Sequence, residues 1–190
     1  MRIPVPDKYF EFAVCTQTLE DLRCPNFLMD ELSRVAKAGY VEVPSRLAEQ
    51  TVGMSDRAST FQGYNHHKWI IDFEGQLVFY DKDESLYGPR SLHSVPRRSF
   101  EAIVAADSHR QNVEYCWVDR ISYRICEAGD AARDKAFAFR ASLGISGIDV
   151  ALDNAIRFSR RVRDTAIGRD PWKSASMRLL SQQYSTLDLS

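Results

Sequence analysis

The stretch FEFAVCTQTLEDLRCPNFLMDELSRVAKAGYVEVP, residues 10–44, decides the fold. Phe10 to Cys15 is short, apolar and rich in strand formers, which predicts a buried strand. It opens abruptly onto a polar elbow, Thr16-Gln17-Thr18-Leu19-Glu20-Asp21. Pro25 suits a first helical turn, where its missing N–H is not needed. Asn26 to Ala38 then carries Leu28, Leu32, Val35 and Ala36 at helical spacing. Asp30 and Glu31 lie early in this helix, Arg34 and Lys37 late, which complements its dipole. Gly39 reads as its stop, Tyr40 to Val43 as a second strand, and Pro44 as that strand's end. Strand, helix and strand with short joints predict a right-handed βαβ unit with parallel strands. In open α/β sheets, ligands bind beyond the carboxyl ends of the strands. The elbow at Cys15 to Thr18, beside Pro44-Ser45-Arg46, is therefore where a site belongs. The competing reading has Thr16 and Thr18 only satisfying backbone groups at a turn.

Outward from this unit the pattern weakens. Residues 45–65 have little periodicity and read as a long loop, of the kind that is often functional. HKWIID (residues 67–72) and QLVFYDK (residues 76–82) flank a turn at Glu74-Gly75 and predict an antiparallel hairpin. Residues 83–98 hold Gly88-Pro89 and Pro96 and read as loop. Ser99 to Ala106 suggests a short helix. Val113, Tyr115, Trp117, Ile121, Tyr123 and Ile125 alternate with polar residues, as one strand or a second hairpin. Residues 130–143 read as a helix ending at Gly144. A second helix opens with Ser146 and Asp149 as a capping box. It keeps Ile148, Ala151, Leu152, Ala155, Ile156 and Val162 at helical spacing and closes at Gly168 and Pro171. The expected fold class is thus α/β: a parallel βαβ unit, an antiparallel hairpin and a helical C-terminal region. Residues 1–126 form the α/β part, 127–168 a helical extension and 169–190 a disordered tail.

The 190 residues suffice for a sizeable core, and a net charge of −1 argues against a nucleic-acid partner. The basic residues Arg157, Arg160, Arg161 and Arg163 need only a helix C-terminus to explain them. No apolar run reaches the length of a membrane span. The four cysteines, Cys15, Cys24, Cys116 and Cys126, show no CxxC pairing and read as reduced thiols of a cytoplasmic protein.

His66-His67 admits three readings: metal ligands, a general base, or a loop anchor. Neighbouring histidines on a strand point to opposite faces, which argues against a shared metal. No acidic partner stands at ligand spacing, so no metal set is assigned. A base that deprotonates an acceptor stays open, with loop anchoring the leading reading. His93 and His109, in polar surroundings, read as exposed, and Trp69, Trp117 and the tyrosines as core.

Several of these pieces, in this order and spacing, resemble the second half of a class I S-adenosylmethionine-dependent methyltransferase. They are Ile3-Pro4-Val5-Pro6-Asp7, Phe10-Glu11, Cys15, Leu19-Glu20, Cys24-Pro25, Arg34-Val35 and Gly39 to Pro44, followed by GYNHHKWIID (residues 63–72) and LVFYDK (residues 77–82). The match covers about residues 1–82. Glu11 and Cys24 stand where the family more often has Asp. The resemblance implies a Rossmann-like sheet of order 3-2-1-4-5-7-6, with Phe10 to Cys15 as its fourth strand. It implies that Cys15, Thr16, Gln17 and Thr18 line the methionine end of S-adenosylmethionine, with Leu19 and Glu20 shaping the turn beneath. It leaves His66 and His67 as catalytic candidates and implies a small-molecule acceptor chosen by loops 45–65 and 83–110.

The family's glycine-rich cofactor turn is expected before the fourth strand. None of the nine glycines here forms GxGxxG. The expectation is therefore a partial methyltransferase sheet whose first strand edge lacks a neighbour. Such a chain would self-associate or take an N-terminal-half partner. An inactive remnant serving as an interaction module is the alternative.

Overall fold

The computed structural model describes residues 2–57, 59–82, 93–126 and 129–167. Strand β1 (Phe10–Thr16), helix α1 (Pro25–Val35) and strand β2 (Ala36–Pro44) form the predicted unit. The strands are parallel, with Cys15 beside Val41 and Thr16 beside Glu42. The boundary between helix and strand differs from the expectation. The helix ends at Val35, and Gly39 lies in the middle of β2 instead of stopping the helix. An incoming strap caps the helix instead. The Lys8 ammonium donates to the carbonyls of Ser33 at 2.8 Å and Ala36 at 3.2 Å. Arg34 holds the same strap by donating to the carbonyls of Val5 and Ile3, and it pairs with Asp7. Glu31 pairs with Arg34 in the body of the helix, which holds its carboxyl down to about 2. At the other end of α1, the N-cap Cys24 makes no side-chain capping bond.

Gly39 is required by close approach. A Cβ there would lie 2.4 Å from the Ala13 carbonyl oxygen and 2.6 Å from the Trp117 ring. Trp117 belongs to strand β5 (Asn112–Val118), which runs antiparallel to β2 with Gly39 opposite Trp117. The first sheet thus has the order β1-β2-β5. Strands β3 (Trp69–Phe73) and β4 (Leu77–Asp81) form the predicted hairpin, turning at Gly75 with φ +75°. Strand β6 (Tyr123–Cys126) pairs parallel with β4, giving a second sheet of order β3-β4-β6. Residues 113–125 are therefore neither one strand nor a hairpin. Asp119, at φ 62°, bonds through its N–H to the Lys37 carbonyl, and the chain crosses from one sheet to the other. Among the described residues the protein is mixed α/β, with two small three-stranded mixed sheets and helices.

The two sheets share a core. Cys15, Val41, Val43 and Trp117 from the first sheet meet Ile71, Leu77 and Phe79 from the second, with Met29 and Val35 of α1 and Leu19 of the elbow. Helix α4 (Asp130–Ser142) covers the far side of the second sheet, placing Ala132 and Ala136 on Ile70, Val78 and Tyr80. A third cluster joins Leu47, Ala48, Val95 and Phe100, the last from helix α3 (Arg97–Ala106). Its first two members lie in a short helix α2 (Arg46–Glu49), capped by the Ser45 hydroxyl. The segment read as an exposed loop thus begins as core. Arg46, Gln50 and Thr51 are buried. Arg46 pairs with Asp72 at 2.7 Å and stacks on the Tyr80 ring. Gln50 donates to the carbonyls of His93 and Ala136. His93, expected at the surface, is buried against the Phe137 ring. These polar residues went inside because each finds a partner there, a carboxylate for Arg46 and backbone carbonyls for Gln50 and Thr51, which a hydropathy pattern does not display.

Helix α5 (Gly147–Ala166) carries the predicted Ser146–Asp149 capping box. Its apolar positions are not all inward: Ile148, Leu152 and Val162 are exposed. The expected stop at Gly168 and Pro171 and the tail at 169–190 lie outside the described residues, as do residues 83–92. All four cysteines are free, but only Cys15 is buried. No described helix is long and apolar enough to cross a membrane.

One face of the first sheet has nothing over it among the described residues. Phe10, Phe12 and Val14 of β1 share that face with Ala38 and Tyr40 of β2 and Val118 of β5. Phe12 is 55%, Val14 64% and Val118 74% exposed. The outer edge of β1 pairs with no described strand.

Replacing Gly39 by alanine forces either the Ala13 backbone or the Trp117 ring to move. Gly39→Ala is expected to lower stability by about 1–3 kcal/mol, the usual range for overpacking. Gly147→Ala, where a Cβ meets nothing, is the matched control and is expected to be neutral or slightly stabilising. Urea unfolding midpoints of the two variants check this.

Candidate functional site

The elbow after β1 is held by its own atoms and by β2. Gln17 takes a left-handed conformation, φ 49°, and its N–H donates to the Glu42 carbonyl at 2.9 Å. The Thr18 hydroxyl donates to the Thr16 carbonyl at 2.8 Å. Thr18 therefore has the turn-satisfying role that the sequence also allowed. Cys15 is buried, and burial pushes its thiol up. Thr16 and Gln17 face solvent at the carboxyl end of the strand.

Glu20 does not lie in a solvated loop. It is 1% exposed, and its carboxylate has no hydrogen-bond partner beyond its own backbone N–H. Burial raises its pKa, against a weaker opposing pull from its own backbone and His67. Leu19, fully buried beside it, anchors the elbow to the core. A buried carboxylate without a partner from another residue is costly and marks a position where function is to be sought.

The second half of the site comes from the turn before β3. His66 and His67 lie in that turn, not in a strand, so the opposite-faces argument does not apply. Their ring centroids are 4.5 Å apart. The acidic partner that the sequence did not suggest is Asp21, forty-five residues upstream of His66. Asp21 Oδ1 lies 3.8 Å from His66 Nε2 and 3.9 Å from His67 Nε2. A backbone bond fastens the two segments together: the Lys68 N–H donates to the Glu20 carbonyl at 2.7 Å.

Behind His67 lies a buried charge network. Glu49 Oε1 is 2.6 Å from His67 Nδ1, and its other oxygen accepts from Lys82 Nζ at 2.6 Å. Lys82 also donates to the Tyr64 carbonyl at 2.8 Å. Burial pulls the Lys82 pKa down, and Glu49 pulls it back. The Tyr64 ring leans on His67 at 4.6 Å. Gly63, at φ +59°, closes over this network; a Cβ there would meet a Glu49 carboxylate oxygen. With Nδ1 of His67 bonded to Glu49, its Nε2 lies on the side toward Asp21. Burial and the neighbouring His67 lower the pKa of His66.

Of the residues expected at the site, His66 and His67 meet at Asp21 and Glu20 is fastened beside them through Lys68, while Cys15, Thr16, Gln17 and Thr18 lie at the start of the same elbow. Asp21, Glu49 and Lys82 were missed. Asp21 was visible only as part of the elbow, and nothing in the sequence linked Glu49 or Lys82 to the histidines. No family model matches the chain, and no curated protein or solved structure matches it.

Glu49 neutralises a lysine that is 1% exposed. Glu49→Gln leaves that ammonium buried and only weakly paired. The variant is expected to lose about 3–5 kcal/mol of stability, read as a lower urea midpoint than that of the parent chain.

Proposed function

We propose that this chain belongs with the class I S-adenosylmethionine-dependent methyltransferases, contributing the methionine end of the cofactor site and the acceptor side. The observation that carries the reading is the first sheet. Its order β1-β2-β5, with β1 and β2 parallel, matches the 4-5-7 portion of the expected strand order. The sixth strand of that order has no counterpart in this sheet among the described residues. The open apolar face and unpaired edge of β1 suit a sheet that continues through further strands.

The fit to the cofactor is one-sided. Thr16 and Gln17 lie at the carboxyl end of a parallel strand, the customary ligand position. Glu20, next along, offers a buried carboxylate that a cationic group would satisfy. S-adenosylmethionine carries cationic groups at its methionine end. For the adenosine end there is no glycine-rich turn, and no described residue takes its place. When bound, the cofactor supplies an electrophilic methyl group, so the protein needs no nucleophile of its own. The protein's part is to orient, exclude water and prepare the acceptor. Asp21, His66 and His67 are the groups at this end able to take the acceptor's proton, or to hold a metal that lowers its pKa.

Calorimetric titration of S-adenosylmethionine and S-adenosylhomocysteine into the 190-residue chain tests the reading. Binding in the micromolar range is expected. Glu20→Gln is expected to weaken it roughly tenfold or more, the worth of a charge-assisted hydrogen bond. A folded sample that gives no heat at millimolar ligand overturns the assignment.

The open face supports a second reading, an interaction module. On this reading the chain self-associates at micromolar concentration, and Phe12→Lys with Val14→Lys returns it to a monomer by sedimentation analysis. A parent chain that stays monomeric and unfolds in one cooperative transition removes this second reading.

A further inference from the structure

We infer that Asp21, His66 and His67 form a binding site for a divalent transition metal of the zinc class, with Glu49 as the outer carboxylate that orients His67. The inference does not depend on the methyl-transfer reading, because metal is measured without cofactor.

The geometry is that of ligands around a point. One ligand atom from each of the three residues lies within 4.8 Å of the others. The two contacts to Asp21, at 3.8 and 3.9 Å, are too long for hydrogen bonds. A tetrahedral ion with bonds of about 2.1 Å holds its ligands about 3.4 Å apart. Small rotations of two side chains close that difference. The His66 side chain is 67% exposed and that of Asp21 43%, so both are free to turn. His67, the buried member, is already fixed.

What fixes His67 is the arrangement that orients metal-bound histidines generally: one ring nitrogen bonded to a carboxylate, the other directed at the ion. Glu49 supplies that carboxylate at 2.6 Å, and Lys82 in turn holds Glu49. The ligand segments are joined next to the ligands themselves, since Lys68 follows His67 and Glu20 precedes Asp21 in the 2.7 Å backbone bond. The Glu20 carboxyl, buried next to Asp21 in the chain, lies outside the three-residue cluster and is not counted among the ligands.

Two imidazoles and one carboxylate select the borderline metals, zinc and cobalt(II), over calcium and magnesium, which take oxygen ligands. Three protein ligands at a half-exposed position leave a coordination position for water or a substrate oxygen. That is the pattern of catalytic sites, whereas structural zinc sites are closed by four ligands.

The test uses the full chain, stripped of metal by chelator dialysis and titrated with cobalt(II), then with zinc in competition. The expected result is one ion per chain at micromolar affinity or tighter. Cobalt(II) should give the visible absorption of a four- or five-coordinate site, and zinc should displace it. His66→Ala and Asp21→Asn change exposed side chains and are expected to keep the parent circular dichroism. Each should weaken binding by roughly tenfold or more, while His109→Ala and Cys24→Ser leave it unchanged. Affinity weaker than about 100 μM is not that of a built site, and would overturn the assignment, as would binding indifferent to both His66→Ala and Asp21→Asn.

Discussion

The Glu49 carboxylate, buried between the His67 imidazole and the Lys82 ammonium, ties helix α2 to the open end of the β3–β4 hairpin. It ends helix α2, while its partners come from the turn before β3 and the residue after β4. Removing charges from water is expensive, and the attraction between them compensates only when the geometry is good and the remaining groups are satisfied. Here the Lys82 ammonium has a second acceptor in the Tyr64 carbonyl, and Gly63 leaves no room for a side chain over the pair. The network therefore fixes the conformation of residues 63–67. With it, the direction of His67 is set before any ligand arrives.

The other face of the first sheet is open among the described residues. Odd-numbered residues of β1 and β2 face the second sheet and α1, where Cys15, Val41 and Val43 are buried. Even-numbered residues carry Phe12 and Val14 into solvent. A strand has two faces by construction of its backbone, and β1 carries apolar residues on both, Ala13 and Cys15 on one and Phe10, Phe12 and Val14 on the other. The described residues supply cover on one. Among the described residues, the outer edge of β1 and this face of the sheet stay uncovered.

The site follows from how the two sheets meet. The elbow enters the shared core through Leu19, and the Trp69 indole N–H donates to the Leu22 carbonyl at 2.7 Å. These contacts bring the start of β3 against the β1–α1 turn. His66 and His67, just ahead of β3, are carried to Asp21 as a consequence. Glu20 is turned inward by the same packing.

Much of the local structure was legible in the residues. The parallel βαβ unit, the hairpin turn at Gly75 and the Ser146 capping box are all written in short-range patterns: an apolar run, a proline at a first helical turn, a glycine at positive φ, a hydroxyl three residues before an acid. The rule about strand ends drew attention to the elbow, and in the structure its Asp21 lies beside His66 and His67. What the sequence could not decide were features set by contacts between distant residues. Gly39 looked like a helix stop because its real reason, the Trp117 ring, lies seventy-eight positions away. Residues 46–51 looked like a loop because the partners that bury Arg46, Glu49 and Gln50 come from distant parts of the chain: Asp72, His67, Lys82 and the carbonyls of His93 and Ala136. His66 and His67 looked like neighbours on a strand with no acid nearby, until the second sheet delivered them to Asp21. Sequence fixes what adjacent residues do to one another; pairing across the core depends on how whole elements pack, and only the tertiary structure records that.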